Sequence, residues 1–318
     1  MSEDIELSAT KKKFDVYYDK QILPVLKKLE QKRKKMLHIF CLIVPFVVLW
    51  MLFALNKMMQ LYTQENDNIG AVYGLTLCLA VLAACWPMFS YYHESKESLL
   101  PLLAGFFGKF SYGTQSNISK QTLQYSKIIK PYDSFQTDDC FTGMYENIPI
   151  SITEYALYQR KTVHSNGKVR TVTVKTGGGI LFNAKMNKNF NGQTIVVKDK
   201  GLFNHFVGYK NLNRVGLESP EFEKTYETYS DNQIEARYIL TTVMMEYMLQ
   251  LKKIFPQITF SFFNQEIYIN IETHKNLFEC NSFFRSLINK KRIDKTFEEF
   301  YYLFAIIKIL HLNQQRLL

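Results

Sequence analysis

The densest charge in the second half of the chain lies in SPEFEKTYETYSDNQIEARYILTT, residues 219–242. Here Glu221, Glu223, Asp231, Glu235 and Arg237 stand among tyrosines and a phenylalanine. Carboxylates grouped this way could exchange protons or hold a charged partner. Their neighbours give them structural work as well. Ser219, Pro220 and the glutamates after them read as a helix cap, a first helical position and partners of the helix dipole. Ser230 with Gln233 fits an S-x-x-Q capping box opening a second helix. Behind it Ala236, Leu240, Val243, Met244, Tyr247 and Leu251 fall on one helical face. Arg237 opposes the dipole near that helix start and is expected to pair with one of the acids. The competing reading makes Glu221, Glu223, Asp231, Glu235 and Arg237 a partner-binding surface.

Other residues with chemical potential do not assemble into a known constellation. KTGGGI at 175–180 lacks the GK[ST] ending of a phosphate loop, and its glycines are expected to form a turn between strands. Six histidines are scattered, with no HExxH and no GxSxG. Asp138-Asp139 and Glu298-Glu299 are adjacent pairs, and adjacent side chains diverge in regular structure. Cys41, Cys78, Cys85, Cys140 and Cys280 form no CxxC pair, which excludes a disulfide framework and a zinc site. No catalytic residue, cofactor or metal is therefore expected. A non-enzymatic binding module is the first reading. An enzyme acting on a lipid or nucleotide through an unfamiliar site is the alternative.

The elements that position these residues begin with two apolar runs. The 318 residues carry a net charge of +10, and 47% are hydrophobic. A mean hydropathy of only −0.14 means that the apolar residues are concentrated. MLHIFCLIVPFVVLWMLFAL at 36–55 and IGAVYGLTLCLAVLAACWPMF at 69–89 contain no charged residue. Each is long enough to cross ~30 Å of hydrocarbon, and the first is too long and too far from the N-terminus to be a signal peptide. Residues 1–35 hold ten lysines and arginines, whereas the 56–68 loop holds only Lys57. Basic flanks stay inside. Both termini are thus expected in the cytoplasm of a bacterial inner-membrane protein. Gly70, Gly74 and Cys78 form a small-xxx-small face, suited to packing of the two spans or to self-association.

The expected organisation is a basic helical arm (1–35), a transmembrane hairpin (36–92) and a cytoplasmic domain (93–318). In the arm, Phe14, Tyr18, Ile22, Val25 and Leu29 share a helix face that Pro24 should divide or bend, and Lys32–Lys35 abut the membrane. The domain reads as α+β, with a mostly antiparallel sheet of about seven strands and packed helices. ISITEYALYQ and KVRTVTVK flank Asn166-Gly167, a type I′ hairpin signal. GGILFNAK with QTIVVKD, and ITFSFF with EIYINIE, read as two further pairs, and one more strand falls near 212–217. Helices are expected at 220–228, 231–253 and 295–312. From Arg160 to Lys200 there are nine bases and one acid. Lys161, Lys168 and Arg170 beside the first turn are the candidate contacts to anionic lipid. Nucleic acid is disfavoured, because no base-stacking motif is visible.

The motifs SPEFEK and YSDNQIEARYILT, with GGILFNAKMNKNFNGQTIV, FTGMYENIPISITE and the FDVYYDKQILPVLKKLEQKRKK arm before two spans, give the chain its family resemblance. It resembles the bacterial family known only as domain of unknown function 3137. The resemblance implies an integral membrane protein with a soluble α+β domain. It transfers no catalytic residue, and it points weakly to a LemA-type membrane protein as partner.

Overall fold

The computed structural model describes residues 2–62, 67–165, 168–199, 209 and 211–310. They divide into two compact units: one runs to Leu103 and takes in Cys280–Lys295, and the other is Ala104–Glu279 with the chain from Thr296.

In the first unit, helix α1 (Ser2–Tyr17) runs through a π-helical turn, Tyr18–Ile22, into α2 (Leu23–Tyr62). The Leu23 amide bonds the Tyr18 carbonyl, the i→i−5 pattern of a π-bulge, immediately before Pro24. The helix therefore accommodates Pro24 without breaking. The wide turn also shifts the buried stripe. Phe14, Tyr18 and Ile22 are buried as expected, but the next buried position is Leu26, with Val25 only partly covered. Helix α3 (Asp67–Ala104) follows.

The basic run before the first apolar stretch is partly consumed by this packing. Arg33 is buried and donates through Nε and Nη2 to both oxygens of Glu30, at 2.9 and 2.7 Å. Its Nη1 reaches the Phe283 carbonyl at 2.8 Å, and the Leu287 amide donates to Glu30 at 2.8 Å. Lys32 pairs with Glu94. Only Lys34 and Lys35 of the run are exposed.

The second unit is built on a nine-stranded antiparallel sheet in the order β1-β2-β3-β4-β9-β8-β5-β7-β6. The strands are β1 (Lys109–Gly113), β2 (Ser134–Tyr145), β3 (Ile148–Ser165), β4 (Lys168–Lys185), β5 (Thr194–Lys198), β6 (Asn213–Val215), β7 (Tyr226–Ser230), β8 (Ile258–Phe263) and β9 (Glu266–Glu272). The helices are α4 (Lys120–Ser126), α5 (Pro220–Glu223), α6 (Gln233–Ile239), α7 (Thr242–Ile254) and α8 (Lys290–Ile309), whose first residues belong to the other unit.

Register builds one face from a continuous apolar row: Phe141, Ile152, Phe182, Ile269, Phe260 and Val196 lie opposite one another in turn, all fully buried. Phe300 of α8 meets Phe141 edge-on at 4.9 Å, and Phe304 stacks on Phe107 at 4.5 Å. The opposite face carries a second core around Tyr155, Leu181, Ile195 and Tyr268, covered by Leu123 and Ile128.

Several expected pairings change. GGILFNAK is the second half of β4 and pairs with β3 and β9; QTIVVKD is β5 and pairs with β7 and β8. The glycines of KTGGGI form no turn, because β4 passes straight through them. A Cβ on Gly179 would lie 2.0 Å from the Ile271 carbonyl oxygen, so close strand approach is what requires glycine there. The expected β8–β9 hairpin is present, with Asn264 and Gln265 at φ 53° and 61°, as a type I′ turn demands. Asn166-Gly167 lies outside the described residues. The helix read at 220–228 stops at Glu223, and Tyr226–Ser230 is a fully buried strand instead. The helix read at 231–253 breaks at Leu240, and Thr241 caps the second piece by accepting from the Met244 amide.

Two consequences are measurable. Glu30→Ala should cost roughly 3 kcal/mol at neutral pH, because it strands a buried guanidinium. The Arg33 hydrogen bonds hold the Glu30 carboxyl below the usual carboxylate range. This contribution is therefore complete above the unfolded value of ~4.3 and is lost as pH falls through the lowered folded value. Thermal unfolding of the detergent-solubilised chain against pH checks both; an unchanged midpoint would show that the pair is replaceable. Asn232→Ala, which removes the acceptor for the Ile234 and Glu235 amides, should cost ~1 kcal/mol by urea unfolding.

Candidate functional site

The strands β3 and β4 are each 18 residues long, and only their inner halves belong to the wide sheet. The β2 pairing ends at Tyr158, and the β9 pairing begins at Gly179. Beyond these points, among the described residues, β3 and β4 pair only with each other, from Gln159↔Val174 to Ser165↔Lys168. A register shift at Leu157/Tyr158 marks the base, where an extra residue re-aims the ribbon. Asp133 secures the base by accepting from the Arg160 amide at 2.7 Å.

Directly opposed residues share a face. Lys161 lies opposite Val172, Val163 opposite Arg170, and Gln159 opposite Val174. One face of the ribbon therefore combines Lys161 and Arg170 with Val163, Val172 and Val174, and those valines are 44%, 38% and 38% exposed. Lys168 is the next alternate backbone position after Arg170. No acid occurs between Arg160 and Lys175. Two chemistries thus meet on one surface: cations, and apolar branches whose exposure to water costs ~25 cal/mol per Å². The cations were legible from composition. The valines beside them were not, because face-sharing depends on register.

The opening acidic block has a different fate. Ser219 caps α5, accepting from the Phe222 amide at 3.3 Å, and Glu223 accepts from the Leu217 amide at 2.8 Å. Ser230 does not cap a helix. It ends β7, buried, with its hydroxyl bonded to the Gln193 and Asn232 carbonyls and the Asn232 amide. The cap falls two residues later, at Asn232, because Ser230 is the last residue of β7, a strand where a helix was expected. Gln233 is accordingly the first residue of α6 and takes no part in a capping box. Asp231 accepts from the Gln193 amide at 2.8 Å. Glu221 and Glu235 lie in the first turns of α5 and α6. The bonds described for Arg237 go to Gln233 and to the Gly216 carbonyl at 3.2 Å, not to an acid. What the block does leave open is apolar: Ile234 is 81% exposed, with Tyr238 one turn on.

Asp138 and Asp139 depart from the rule that neighbours diverge. β2 has a register shift between Thr137 and Cys140, and the bulge brings both carboxylates within 4.8 Å of Glu154. Among the described residues this group has the spacing to hold a metal ion. Asp139 already accepts from the Tyr112 hydroxyl at 2.7 Å and Glu154 from the Leu277 amide at 2.9 Å. Both bonds stabilise the cluster as part of the protein framework.

The apolar stretches of α2 and α3 are long enough to cross a membrane and carry their side chains outward: Phe46, Leu49, Met59, Trp86 and Phe89 are all more than half exposed. Tyr73 of α3 packs against Trp50 and Phe53 of α2. On the small-residue face, a Cβ added at Gly74 would meet nothing within 4 Å, and Cys78 is exposed. Gly70 lies in the described helix, one turn earlier.

No curated protein matches the chain. Among solved structures, the crystal structure of the mycobacterial trehalose monomycolate transport factor A, TtfA, aligns over 65% of this chain and 91% of its own. Identity is 10% and the TM-score 0.33, a likeness too loose to carry fold or function across. The model of the family described as "Protein of unknown function (DUF3137)" matches residues 178–312, which run from the β4 glycines through α8. This is the family that the motifs of the chain resemble.

Proposed function

We propose that this is a multi-pass protein of the bacterial inner membrane, with both termini in the cytoplasm. Its α+β domain is a non-enzymatic binding module within an envelope complex. The observation that carries the module reading is the β3–β4 ribbon. Lys161, Lys168 and Arg170 fall at alternate backbone positions of strands whose facing valines are exposed, no acid lies between Arg160 and Lys175, and among the described residues no third strand pairs there. Such a face suits an anionic leaflet. Each cation near the surface contributes ~1 kcal/mol, and short apolar branches enter the interface beside it. The membrane reading is supported by the outward apolar side chains of α2 and α3, since patches of that extent are not left in water. Gly70, Gly74 and Cys78 then offer a close-approach face for a second copy or for another membrane protein, a LemA-type protein among the candidates.

Orientation is testable with reporter fusions. Fusions after Lys20 and after Leu318 should report cytoplasm, and one at Asp67 the outside. A C-terminal fusion active outside would reverse the topology.

The ribbon is testable in the full chain reconstituted into vesicles. The protein has two tryptophans, so Val172→Trp in a Trp50→Phe, Trp86→Phe background gives a single reporter. Its emission should shift to the blue, and brominated acyl chains should quench it, when phosphatidylglycerol is present but not in phosphatidylcholine alone. Raising salt to 1 M, where screening shortens to ~3 Å, should weaken the effect. Lys161→Glu with Arg170→Glu should abolish it. Identical emission in both bilayers would remove the lipid role and leave an acidic protein as the partner.

A further inference from the structure

The second unit holds a cavity of about 520 Å³ on the sheet face opposite the Phe141–Val196 row. Register builds its floor. Thr142 lies opposite Ser151, Ser151 opposite Asn183, and Asn183 opposite Tyr268. Four polar side chains therefore follow one another on one face across β2, β3, β4 and β9. The wall is the chain from Asn117 into α4. Two contacts fix it: Asn117 donates to the Thr142 hydroxyl at 3.1 Å, and Ile118 packs against the core that holds buried Leu123. Ser119 and Thr122, on the same wall, share a hydroxyl–hydroxyl bond of 2.8 Å.

The lining offers hydrogen bonding without positive charge. It contains no lysine, arginine or histidine, and its one acid is Glu266 at the start of β9. Glu266 Oε2 accepts from the Asn183 amide at 3.2 Å and from the Tyr268 hydroxyl. Lys185 stands opposite Glu266 in register, outside the lining. Burial, with Glu266 adding to it, pushes the Tyr268 pKa up, so that hydroxyl stays protonated. Ser151 is different. It is 7% exposed, and its buried hydroxyl has no hydrogen-bond partner among the described residues. Leaving such a group unbonded is costly, so its place in a cavity lining points to a ligand that bonds it.

An anion would meet one carboxylate here and no cation. A wholly apolar ligand would leave the serine, the amides and the carboxylate unpaired. A molecule with several neutral hydroxyls satisfies them all, because each hydroxyl both donates and accepts. Its C–H faces match Met144, Pro149 and Ile150, which complete the lining. We propose that this cavity binds a neutral polyhydroxylated ligand, a sugar or the sugar headgroup of a lipid, with Ser151, Asn183 and Glu266 as its principal hydrogen-bonding groups. The volume falls in the range of small-molecule sites, ~300–1,000 Å³. Cleaving a glycosidic bond ordinarily takes a pair of carboxylates, and the lining has one, so the ligand is held without being hydrolysed. This inference is independent of the ribbon.

The test is saturation-transfer NMR on the full-length protein in a polyoxyethylene detergent, which has no sugar headgroup. Methyl glucoside, methyl galactoside and methyl mannoside are titrated, with choline and glycerol 3-phosphate as charged controls. At least one glycoside should give a saturable signal, and the controls none. In phosphatidylcholine nanodiscs, displacement of that glycoside by the diacylglycerol carrying the same sugar assigns a lipid headgroup; retention of the signal assigns a free sugar. Ser151→Ala removes a hydroxyl that bonds nothing in the fold, so it should not lower the melting temperature. It should weaken binding roughly fivefold, as for one lost hydrogen bond. Adding Glu266→Gln, which keeps the shape and an acceptor, should bring the loss to roughly twentyfold. Lys161→Glu with Arg170→Glu, on the ribbon, should leave binding unchanged. No saturable signal from any glycoside, a control signal of equal strength, or full affinity in the Ser151→Ala, Glu266→Gln protein would overturn the proposal.

Discussion

Register across the nine-stranded sheet is the constraint on which the second unit depends. A slip of one residue in any strand would turn its inward aromatic residues to the other face. The row from Phe141 to Val196 crosses six strands without interruption, so each pairing is checked by its neighbours. Among the described residues the strand pairings carry two register shifts. One, in β2, turns two adjacent aspartates toward Glu154; the other, in β4, sets the base of the free ribbon. These acidic and cationic features of the domain are thus local exceptions in an otherwise regular lattice.

Much of this was legible in the chain. The α+β class, the two apolar helices and the β8–β9 turn follow from hydrophobic period and from turn residues. Ser219 with Pro220 marked a helix start because proline and a small hydroxyl residue have narrow preferences. What escaped reading is where tertiary context outweighed a local signal. YETYS looks polar enough for a helix surface, yet between β5 and β6 it is buried. Ser230 matched a capping box on spacing alone, but its hydroxyl is taken by the Gln193 carbonyl 37 residues away, a contact that no local pattern encodes.

The candidate surfaces were half legible for the same reason. Charge can be counted along a sequence, and Lys161, Lys168 and Arg170 stand out that way. Their apolar companions become visible only once β3 and β4 are aligned.

Helix α8 begins in the unit that carries the apolar helices and ends in the unit that carries the sheet. The stretch before it supplies Phe283 and Leu287, both fully buried, to the surroundings of Arg33 and Glu30. The sheet-bearing unit is therefore not one continuous stretch of chain. A soluble fragment starting after the second apolar helix would carry an orphaned apolar strip and an Arg33-shaped gap in its hydrogen bonding. Cleavage between the second apolar helix and the sheet should yield a sticky, short-lived product rather than a free domain, and recombination in evolution should move the two parts together.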